Sequence, residues 1–186
     1  MEEFLEGEIK TSPSVQYRVN PLGETEIIST HDQVLSGEGG QVFIGAFFPA
    51  NNSYQKEIAV LGKKVAAKLA TRGVLGRFAI DFISVKEKNK WKNYAIEINL
   101  RKGGTTHPFL MLQFLTNGRY DQANGLFITP GKQRRYYFAS DNLQKDAYKG
   151  LAPRDLIDIA MFHGLHCDGA TQKGEMFHMI GALTQF

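Results

Sequence analysis

Two acidic side chains and an amide occupy neighbouring stretches of alternating sequence, and together they have the chemistry of a divalent-cation site. Residues 77–85 and 93–101 each alternate apolar and polar side chains, and the polar segment between them predicts a hairpin centred near Asn89. In that register Asp81 lies opposite Glu97. The pattern therefore predicts two carboxylates on one face of a two-stranded element.

The alternation also predicts which side chains share each face, because residues i and i+2 of a strand point the same way. The acidic face of the second strand comprises Ala95, Glu97, Asn99 and Arg101, and its apolar face comprises Tyr94, Ile96, Ile98 and Leu100. On the first strand, the face opposite Asp81 comprises Phe78, Ile80 and Phe82. We therefore expect one face of the hairpin to enter a core and the other to carry the polar groups.

Like charges directly across a sheet repel, so the predicted pair of Asp81 and Glu97 requires compensation. A divalent cation would supply it. With Asn99 the ligands are hard oxygen atoms, which favour Mg²⁺, or Mn²⁺, over zinc. Magnesium commonly takes its remaining ligands from substrate phosphates, so the cluster indicates nucleotide phosphate chemistry. The alternative is an ordinary cross-strand charge network with Arg101 and no metal.

A glycine pair and two threonines follow the second strand directly. Glycine lets the backbone approach a ligand closely, and successive backbone N–H groups can surround anionic oxygens. Gly103, Gly104 and Thr105 are therefore predicted to contact a phosphate or an acyl group, together with Arg101. The position of this loop, directly after the carboxylate strand, favours the metal interpretation over the structural charge network.

The elements that must position these groups form an α+β pattern. The predicted strands cover residues 15–19, 26–29, 33–35, 42–44, 77–85, 93–101, 135–139 and the apolar stretch 176–186. The predicted helices cover Ile58 to Thr71, Pro108 to Leu115 and Asp155 to Phe162. We expect an antiparallel sheet with the helix at residues 58–71 packed on one face.

Composition excludes several classes of protein. The 186 residues are 42% hydrophobic and 22% charged, which is typical of globular chains and not of disordered ones. A net charge of +3 with scattered cations argues against nucleic-acid binding. No apolar run reaches the roughly 18 residues of a membrane span, and the acidic N-terminus does not read as a signal peptide. With the single cysteine, Cys167, these features predict a cytoplasmic protein.

Three segments resemble the ATP-grasp carboxylate–amine ligases. Residues 97–101, Glu-Ile-Asn-Leu-Arg followed by the glycine pair, are similar to the family's Glu-x-Asn strand and the loop after it. Residues 76–82 resemble the preceding strand, whose acid is a further metal ligand, and residues 1–8 resemble the hinge between the two nucleotide-binding lobes. The resemblance covers about residues 1–107 and implies the C-terminal lobe of the ATP-grasp fold.

The resemblance implies roles for particular residues. ATP and Mg²⁺ are the implied cofactors, with Asp81, Glu97 and Asn99 as metal ligands. In the hinge, the backbone around Glu3 to Leu5 would meet the adenine, and Glu8, or else Glu6, would bind the ribose. The implied reaction joins a small carboxylate to an amine, amino acid or peptide through an acyl phosphate.

The resemblance is strongest to the pheganomycin-type peptide ligase branch, on residues 12–16, 30–35 and 102–107. It predicts two regions, an ATP-grasp lobe at residues 1–107 and a branch-specific, truncated region at residues 108–186. One position departs from the pattern: Ala79 stands where related ligases often carry an arginine, and Arg77 lies one strand step further from Asp81.

The family's N-terminal lobe, which holds the phosphate-binding lysines, is not part of this sequence. The chain is therefore expected to be one half of an enzyme and inactive alone. Two other functions stay open: a non-catalytic scaffold or interaction module with this fold and, more distantly, a metal-dependent nuclease, although Asn99 replaces the lysine such nucleases use. A zinc site at His163, His166, Cys167 and Asp168 is a further alternative, without a second cluster to complete it.

Overall fold

A computed structural model describes residues 5–185, except for the side chains of residues 182, 184 and 185. The chain divides into two compact units, the first ending at Asp141 and the second beginning at Asn142. This division is by packing and lies further along the chain than the boundary predicted between residues 107 and 108. That boundary, which separates a family lobe from a branch-specific region, stays a prediction.

The first unit contains two antiparallel sheets and two helices. Its strands are β1 Ile9–Thr11, β2 Pro13–Val19, β3 Thr25–Ser36, β4 Val42–Phe48, β5 Gly76–Glu87, β6 Lys90–Asn99, β7 Arg119–Asp121, β8 Leu126–Ile128, β9 Arg134–Arg135 and β10 Tyr137–Ala139. Strands β7, β8 and β9 form the small sheet. In the seven-stranded sheet β6 pairs with one side of β5, and β1 and β2 share the other side; β3, β4 and β10 follow β2 in that order. The helices are α1 Gln55–Ala70 and α2 Thr106–Thr116.

Helix α1 packs on one face of the large sheet, as predicted, although it begins at Gln55, three residues before the predicted start at Ile58. The core beneath it contains the buried sheet residues Val15, Tyr17, Val19, Phe78, Ile80 and Phe82. Each such side chain contributes about 1.5–3 kcal/mol when fully buried. This packing fixes the face of β5 that carries Phe78, Ile80 and Phe82, and so it turns Asp81 to the opposite face.

A second core joins α2 to the sheet. Phe109 of α2 meets Phe48 of β4 and Phe127 of β8 in edge-to-face contacts, with ring centroids 5.4 and 5.9 Å away. The predicted helix at residues 108–115 is confirmed. Its N-cap is Thr105. The packing of Phe109 anchors the start of α2, and with it the glycine loop that precedes the helix.

Three element predictions are wrong. Residues 25–36 form one continuous strand, β3, instead of two. Residues 134–139 divide at Tyr136 between β9 and β10, which belong to different sheets. The C-terminal stretch forms a 3₁₀ helix at Ile180–Gln185 and not a strand, and Phe186 lies outside the described residues. Short strands such as β7, β8 and β9 depend on pairing partners distant in sequence, so local alternation does not reveal them.

The second unit contains helix α3, Pro153–Phe162, and the 3₁₀ helices Asp146–Tyr148 and Ile180–Gln185. Helix α3 covers the predicted helix and begins at Pro153, a favoured first-turn residue.

Candidate functional site

The predicted hairpin forms, and its register is confirmed. Asp81 pairs with Glu97 across β5 and β6, and the two-residue turn consists of Lys88 and Asn89, both with positive φ. Residues directly opposite each other in antiparallel strands have side chains on the same face. The two carboxylates therefore share one face of the sheet, the face away from α1, which we call the site face.

A β-bulge next to this pair changes the predicted faces of β6. The register shifts between Asp81 and Phe82, so that Ile96 has no partner and Tyr94 pairs with Ile83. Tyr94 therefore lies on the face of Glu97, and the prediction that it shares a face with Ile98 is wrong. Ile96 and Ile98 are 54% and 46% exposed, so the apolar residues of β6 do not enter the core as expected. Bulges commonly redirect side chains beside functional sites.

The site face is organised as rows of paired residues across four strands. One row comprises His31, Ser14, Asp81 and Glu97, and the next comprises Ser29, Gln16, Ala79 and Asn99. All but Ala79 are polar, and the rows lie side by side because their members are two residues apart along each strand. The polar face of the sheet thus presents its acidic pair at the β5–β6 edge.

Asp81 is the half-buried centre of the first row. Desolvation by burial, and then the negative charge of Glu97, raise the pKa of Asp81 to about 6. Hydrogen bonds from Ser14 and Asn99 and the positive charge of Arg101 act in the opposite direction. The folded chain therefore holds the Asp81 carboxylate at an electrostatic cost, which a cation beside the pair would relieve.

Asn99 is oriented by Asp81, because its Nδ2 donates a hydrogen bond of 2.9 Å to Asp81 Oδ2. That contact leaves the amide oxygen of Asn99 available to a ligand. Glu97 is exposed on the edge strand. The three predicted metal ligands therefore lie together, with one carboxylate fixed by neighbours and one open to solvent. Oxygen ligands of this kind fit Mg²⁺ and not zinc.

Ser14 and Gln16 support the acidic pair, although the sequence pattern does not predict either as a site residue. Ser14 hydrogen-bonds Asp81 and accepts a bond of 2.7 Å from Gln16 Nε2. Both are buried on the site face. Their signal in the sequence was the polar alternation through Ser12, Ser14 and Gln16, but only the pairing of β2 with β5 shows what these side chains contact.

The loop after β6 leads directly into α2. Arg101 is exposed, with its backbone N–H bonded to Asn99 O at 2.7 Å, and Gly103 O accepts a bond from the N–H of Thr106. A Cβ at Gly103 would meet no atom within 4 Å, whereas one at Gly104 would lie 2.8 Å from the Phe43 ring. Gly103 therefore faces open space, and the structure around it does not itself require a glycine.

The predicted hinge residues lie beside the C-terminal end of β5. The Glu8 N–H bonds to Lys86 O at 3.0 Å, and a Cβ at Gly7 would collide with Val85 Cγ1. Leu5 is partly buried and Glu8 is exposed, and Glu3 lies outside the described residues. The contact of Glu8 with Lys86 thus lies about five residues from Asp81 along β5. At the rise of a β-strand this separation is roughly 17 Å.

The zinc alternative gains no support. Within residues 5–185 there is no group of three or more histidine, cysteine, aspartate or glutamate side chains that could hold a metal ion. His166 pairs with Glu175 in an isolated β-bridge, and the backbone N–H of Cys167 donates a bond of 3.1 Å to Glu175 O.

Within residues 5–185, no helix is both long and apolar enough to cross a membrane.

A match to a family profile shows to which protein family the chain belongs. The profile described as "IQCH-like, ATP-grasp" matches residues 1–123, well over half of the sequence. The chain belongs to the ATP-grasp family. The predicted resemblance is confirmed at that level, and its placement in the pheganomycin-type branch stays a prediction.

A curated relative of this ATP-grasp chain is the L-propargylglycine–L-glutamate ligase of Streptantibioticus cattleyicolor. The two are 33% identical over 183 residues, which covers 98% of this chain and 36% of the relative. The chain therefore spans about a third of the length of the curated relative it matches.

Solved structures of the same superfamily align more loosely. A protein of the ATP-grasp superfamily from Archaeoglobus fulgidus aligns with a TM-score of 0.48 and 22% identity, over 74% of this chain and 40% of that one. The N5-carboxyaminoimidazole synthetase of Staphylococcus aureus, complexed with ADP, aligns with a TM-score of 0.47 and 15% identity, over 67% of this chain and 30% of that one.

Proposed function

We propose that this chain is the metal-binding part of an ATP-dependent carboxylate–amine ligase. The observation that carries the proposal is the cross-strand pair of Asp81 and Glu97, with Asn99 hydrogen-bonded to Asp81, on the site face of an ATP-grasp sheet. Two carboxylates and an amide oxygen are the ligands of a site for Mg²⁺, or Mn²⁺, that carries nucleotide phosphates.

Each proposed site residue has one task in the reaction. Asp81, Glu97 and Asn99 hold Mg²⁺, which neutralises the charge of the nucleotide phosphates when bound. Arg101 and the backbone of Gly103, Gly104 and Thr105 orient the transferring phosphoryl group or the acyl group. No protein nucleophile is required.

The bonds change in two steps. A carboxylate oxygen of the acid attacks the terminal phosphorus of ATP, which forms an acyl phosphate and releases ADP. The amine then attacks the acyl carbon, loses a proton and expels inorganic phosphate, which leaves an amide. The residues named above bind and orient the reactants in both steps, so catalysis depends on positioning.

The position of the hinge supports an extended nucleotide along β5. Glu8, which is proposed to bind the ribose, donates its backbone N–H to Lys86 O, and Leu5, proposed with Glu3 for the adenine, comes before it in the chain. The separation of about 17 Å from there to Asp81 suits a nucleotide whose base and phosphates lie at opposite ends.

The substrates are proposed from the relative. A ligase named for L-propargylglycine and L-glutamate joins two amino acids, and at 33% identity we infer amino-acid or peptide substrates here also. A second ATP-grasp lobe completes the proposed nucleotide site. We place the enzyme in the cytoplasm, where ATP is available, with no role for nucleic acid or a membrane.

The test uses the complete enzyme with ATP, Mg²⁺ and L-glutamate as the acid, in the presence of each proteinogenic amino acid in turn. With glutamate labelled by ¹⁸O in its carboxylates, the acyl-phosphate route transfers one labelled oxygen into the released inorganic phosphate. Mass spectrometry of the phosphate detects this transfer. Labelled phosphate supports the proposal, and ligation that yields only unlabelled phosphate contradicts it.

Glu97→Gln separates the metal role from a structural one. The change removes the repulsion with Asp81, so the metal-free protein should keep its stability or gain about 1 kcal/mol, the size of a cross-strand charge effect. Stabilisation by Mg²⁺·ATP should disappear and turnover should fall by several orders of magnitude. Lower stability with an unchanged Mg²⁺ dependence would favour the structural charge network, and a wild-type protein with no response to Mg²⁺·ATP would favour the scaffold.

A further inference from the structure

A narrow cleft opens on the site face between the large sheet and the start of α2. It is lined by the polar residues Gln16, Ser29, Arg77, Thr105 and Thr106, with Tyr17, Ile28 and Phe109 around them. Arg77 lies four residues from Asp81 along β5, or about 13 Å at strand rise. The cleft therefore runs along the site face from the row next to Asp81, where Gln16 and Ser29 lie, to Arg77.

A buried hydroxyl without a partner lies in this cleft. Ser29 is only 1% exposed, and its Oγ makes no hydrogen bond within the described structure. A buried hydroxyl without a hydrogen-bond partner destabilises the folded chain. Ser29 belongs to the polar row of Gln16 and Asn99, and Phe109 of α2 lines the cleft beside it. A ligand that accepts a hydrogen bond from Ser29 would satisfy it.

Arg77 supplies a positive charge at the same place. It pairs directly with Arg18 across β5 and β2, a like charge that repels it, and Glu26 lies directly opposite Arg18 on β3. The ion pairs found within residues 5–185 join other side chains and do not include Arg77. The guanidinium of Arg77 thus borders the cleft without a carboxylate partner from the described residues.

The start of α2 completes the polar lining. Thr105 is the N-cap of this helix, yet its side chain makes no capping hydrogen bond, and no acidic residue occupies the first turn. Thr105 and Thr106 are both buried. A helix N-terminus favours anions, because its backbone N–H groups and dipole attract negative charge.

From these groups we infer that the cleft binds a carboxylate of the substrate that does not react. Ser29 and the threonine hydroxyls donate to it, and Arg77 supplies a planar cation suited to a carboxylate. The space, about 10 Å³, admits a single oxygen atom of a ligand and not a ring or a phosphate chain. This inference rests on the proposed ligase function, in which an amino-acid substrate has a carboxylate besides the one that is activated.

Arg77 is therefore a specificity residue of the proposed reaction. The substrate would lie along β5, with its reacting carboxylate near Asp81 and its second carboxylate near Arg77.

The binding test uses the chain itself, without nucleotide or Mg²⁺, so that it is independent of the metal site. ¹H–¹⁵N NMR follows the amides of Ser29, Thr105 and Thr106 and the Arg77 Nε–H during titration with succinate, with inorganic phosphate and with uncharged succinamide. We expect saturable shifts with succinate at these groups, weaker shifts with phosphate and none with succinamide.

Two variants and a matched control make the test specific. Arg77→Gln should weaken succinate binding at least tenfold, whereas Arg18→Gln, a change of the exposed arginine directly across the sheet, should weaken it less than twofold. Ser29→Ala should also weaken binding several-fold, without loss of thermal stability, because it removes an unsatisfied hydroxyl. An unchanged melting temperature of Ser29→Ala would exclude misfolding as the cause of weaker binding.

Several outcomes would overturn the inference. Equal losses in Arg77→Gln and Arg18→Gln would show diffuse electrostatic attraction in place of a site. Stronger binding of phosphate than of succinate would assign the cleft to the nucleotide or the acyl phosphate. No shifts with any anion would show that the cleft is closed to ligands. In each case the ¹⁸O transfer experiment still reports separately on the ligase function.

Discussion

At the scale of single residues, burial shifts the pKa values of two side chains in one row of the sheet in opposite directions. His31 is fully buried, with Nε2 2.7 Å from the Tyr137 hydroxyl and no hydrogen bond to Nδ1 in the described structure. Burial lowers the pKa of His31 to about 3. Asp81, two strands away, has its pKa raised to about 6. Both residues therefore favour their neutral forms in the folded chain.

These shifts predict a pH dependence of stability whose two parts differ in sign. The unfolded chain binds a proton at His31 below its ordinary pKa of 6.5 while the folded chain does not, so stability falls as the pH drops from 6.5 towards 3. The limiting slope is about 1.4 kcal/mol per pH unit. Asp81 has the opposite effect. Its carboxyl group binds a proton more readily in the folded chain than in the unfolded chain, so its contribution to the stability falls as the pH rises from about 4 to 6.

Urea unfolding at pH 7.5, 5.5 and 4.5 in wild type, His31→Gln and Asp81→Asn resolves the two contributions. His31→Gln should lose stability at pH 7.5 but show a shallower acid decline than wild type. Asp81→Asn should show a steeper decline. Parallel pH profiles for wild type and His31→Gln would mean that His31 is protonated in the folded chain.

At the scale of the loop between β6 and α2, Gly103 offers a clean test of ligand approach. A Cβ there meets no atom within 4 Å and the backbone is not left-handed, so Gly103→Ala should change stability by at most about 0.5 kcal/mol. If the backbone contacts the transferring group, the methyl group should lower ligation by the complete enzyme tenfold or more. Unfolding and turnover are the two measurements.

Gly131→Ala is the matched control for this change. Its Cβ would make only an ordinary contact, 3.8 Å from Thr129 Oγ1, in the turn between β8 and β9. We expect both stability and turnover to be retained. Full activity of Gly103→Ala would remove the glycine loop from the proposed site.

At the scale of the helix, Gly62 sets how closely α1 approaches the sheet. A Cβ at Gly62 would lie 2.9 Å from the Tyr17 ring, and Tyr17 is held by a bond from its hydroxyl to Ala59 O. Gly62→Ala should therefore destabilise the fold by about 1–3 kcal/mol through overpacking, although alanine has a helix propensity about 1 kcal/mol better than glycine.

Val60→Ala in the same helix is the control, because Val60 is exposed and its change should alter stability by less than about 0.5 kcal/mol. Urea unfolding of both variants gives the comparison. A more stable Gly62→Ala would mean that Tyr17 can move aside and that propensity decides at this position.

At the scale of the whole molecule, the two compact units differ in how much core they have. Both hydrophobic clusters lie in the unit that ends at Asp141. In the described part of the unit beginning at Asn142, Ala160 is the one fully buried apolar residue. Small units of this kind seldom have enough core to fold alone.

We therefore expect a chain of residues 1–141 to unfold cooperatively, and a peptide of residues 142–186 to show no cooperative transition. Circular dichroism during thermal unfolding of each fragment measures this. Cooperative unfolding of the shorter peptide would show that its core includes more than the described residues reveal.

The sequence determined the chemistry and the local pairing of the candidate site. Period-two alternation on both sides of a short polar turn is enough to set the register of Asp81 against Glu97, since a hairpin joins strands that are adjacent in the chain. Residue types alone then favoured oxygen ligands and Mg²⁺. The helix at residues 58–71 followed from its period in the same way.

Tertiary structure decided which residues gather around that pair. Ser14 and Gln16 reach Asp81 because β2 pairs with β5, and Ser29 joins Arg77 and Thr105 because α2 packs through Phe109. The bulge at Ile96 moved Tyr94 to the opposite face. Each of these depends on contacts between segments far apart in the chain, whose energies come from packing and do not appear in any local pattern of the sequence.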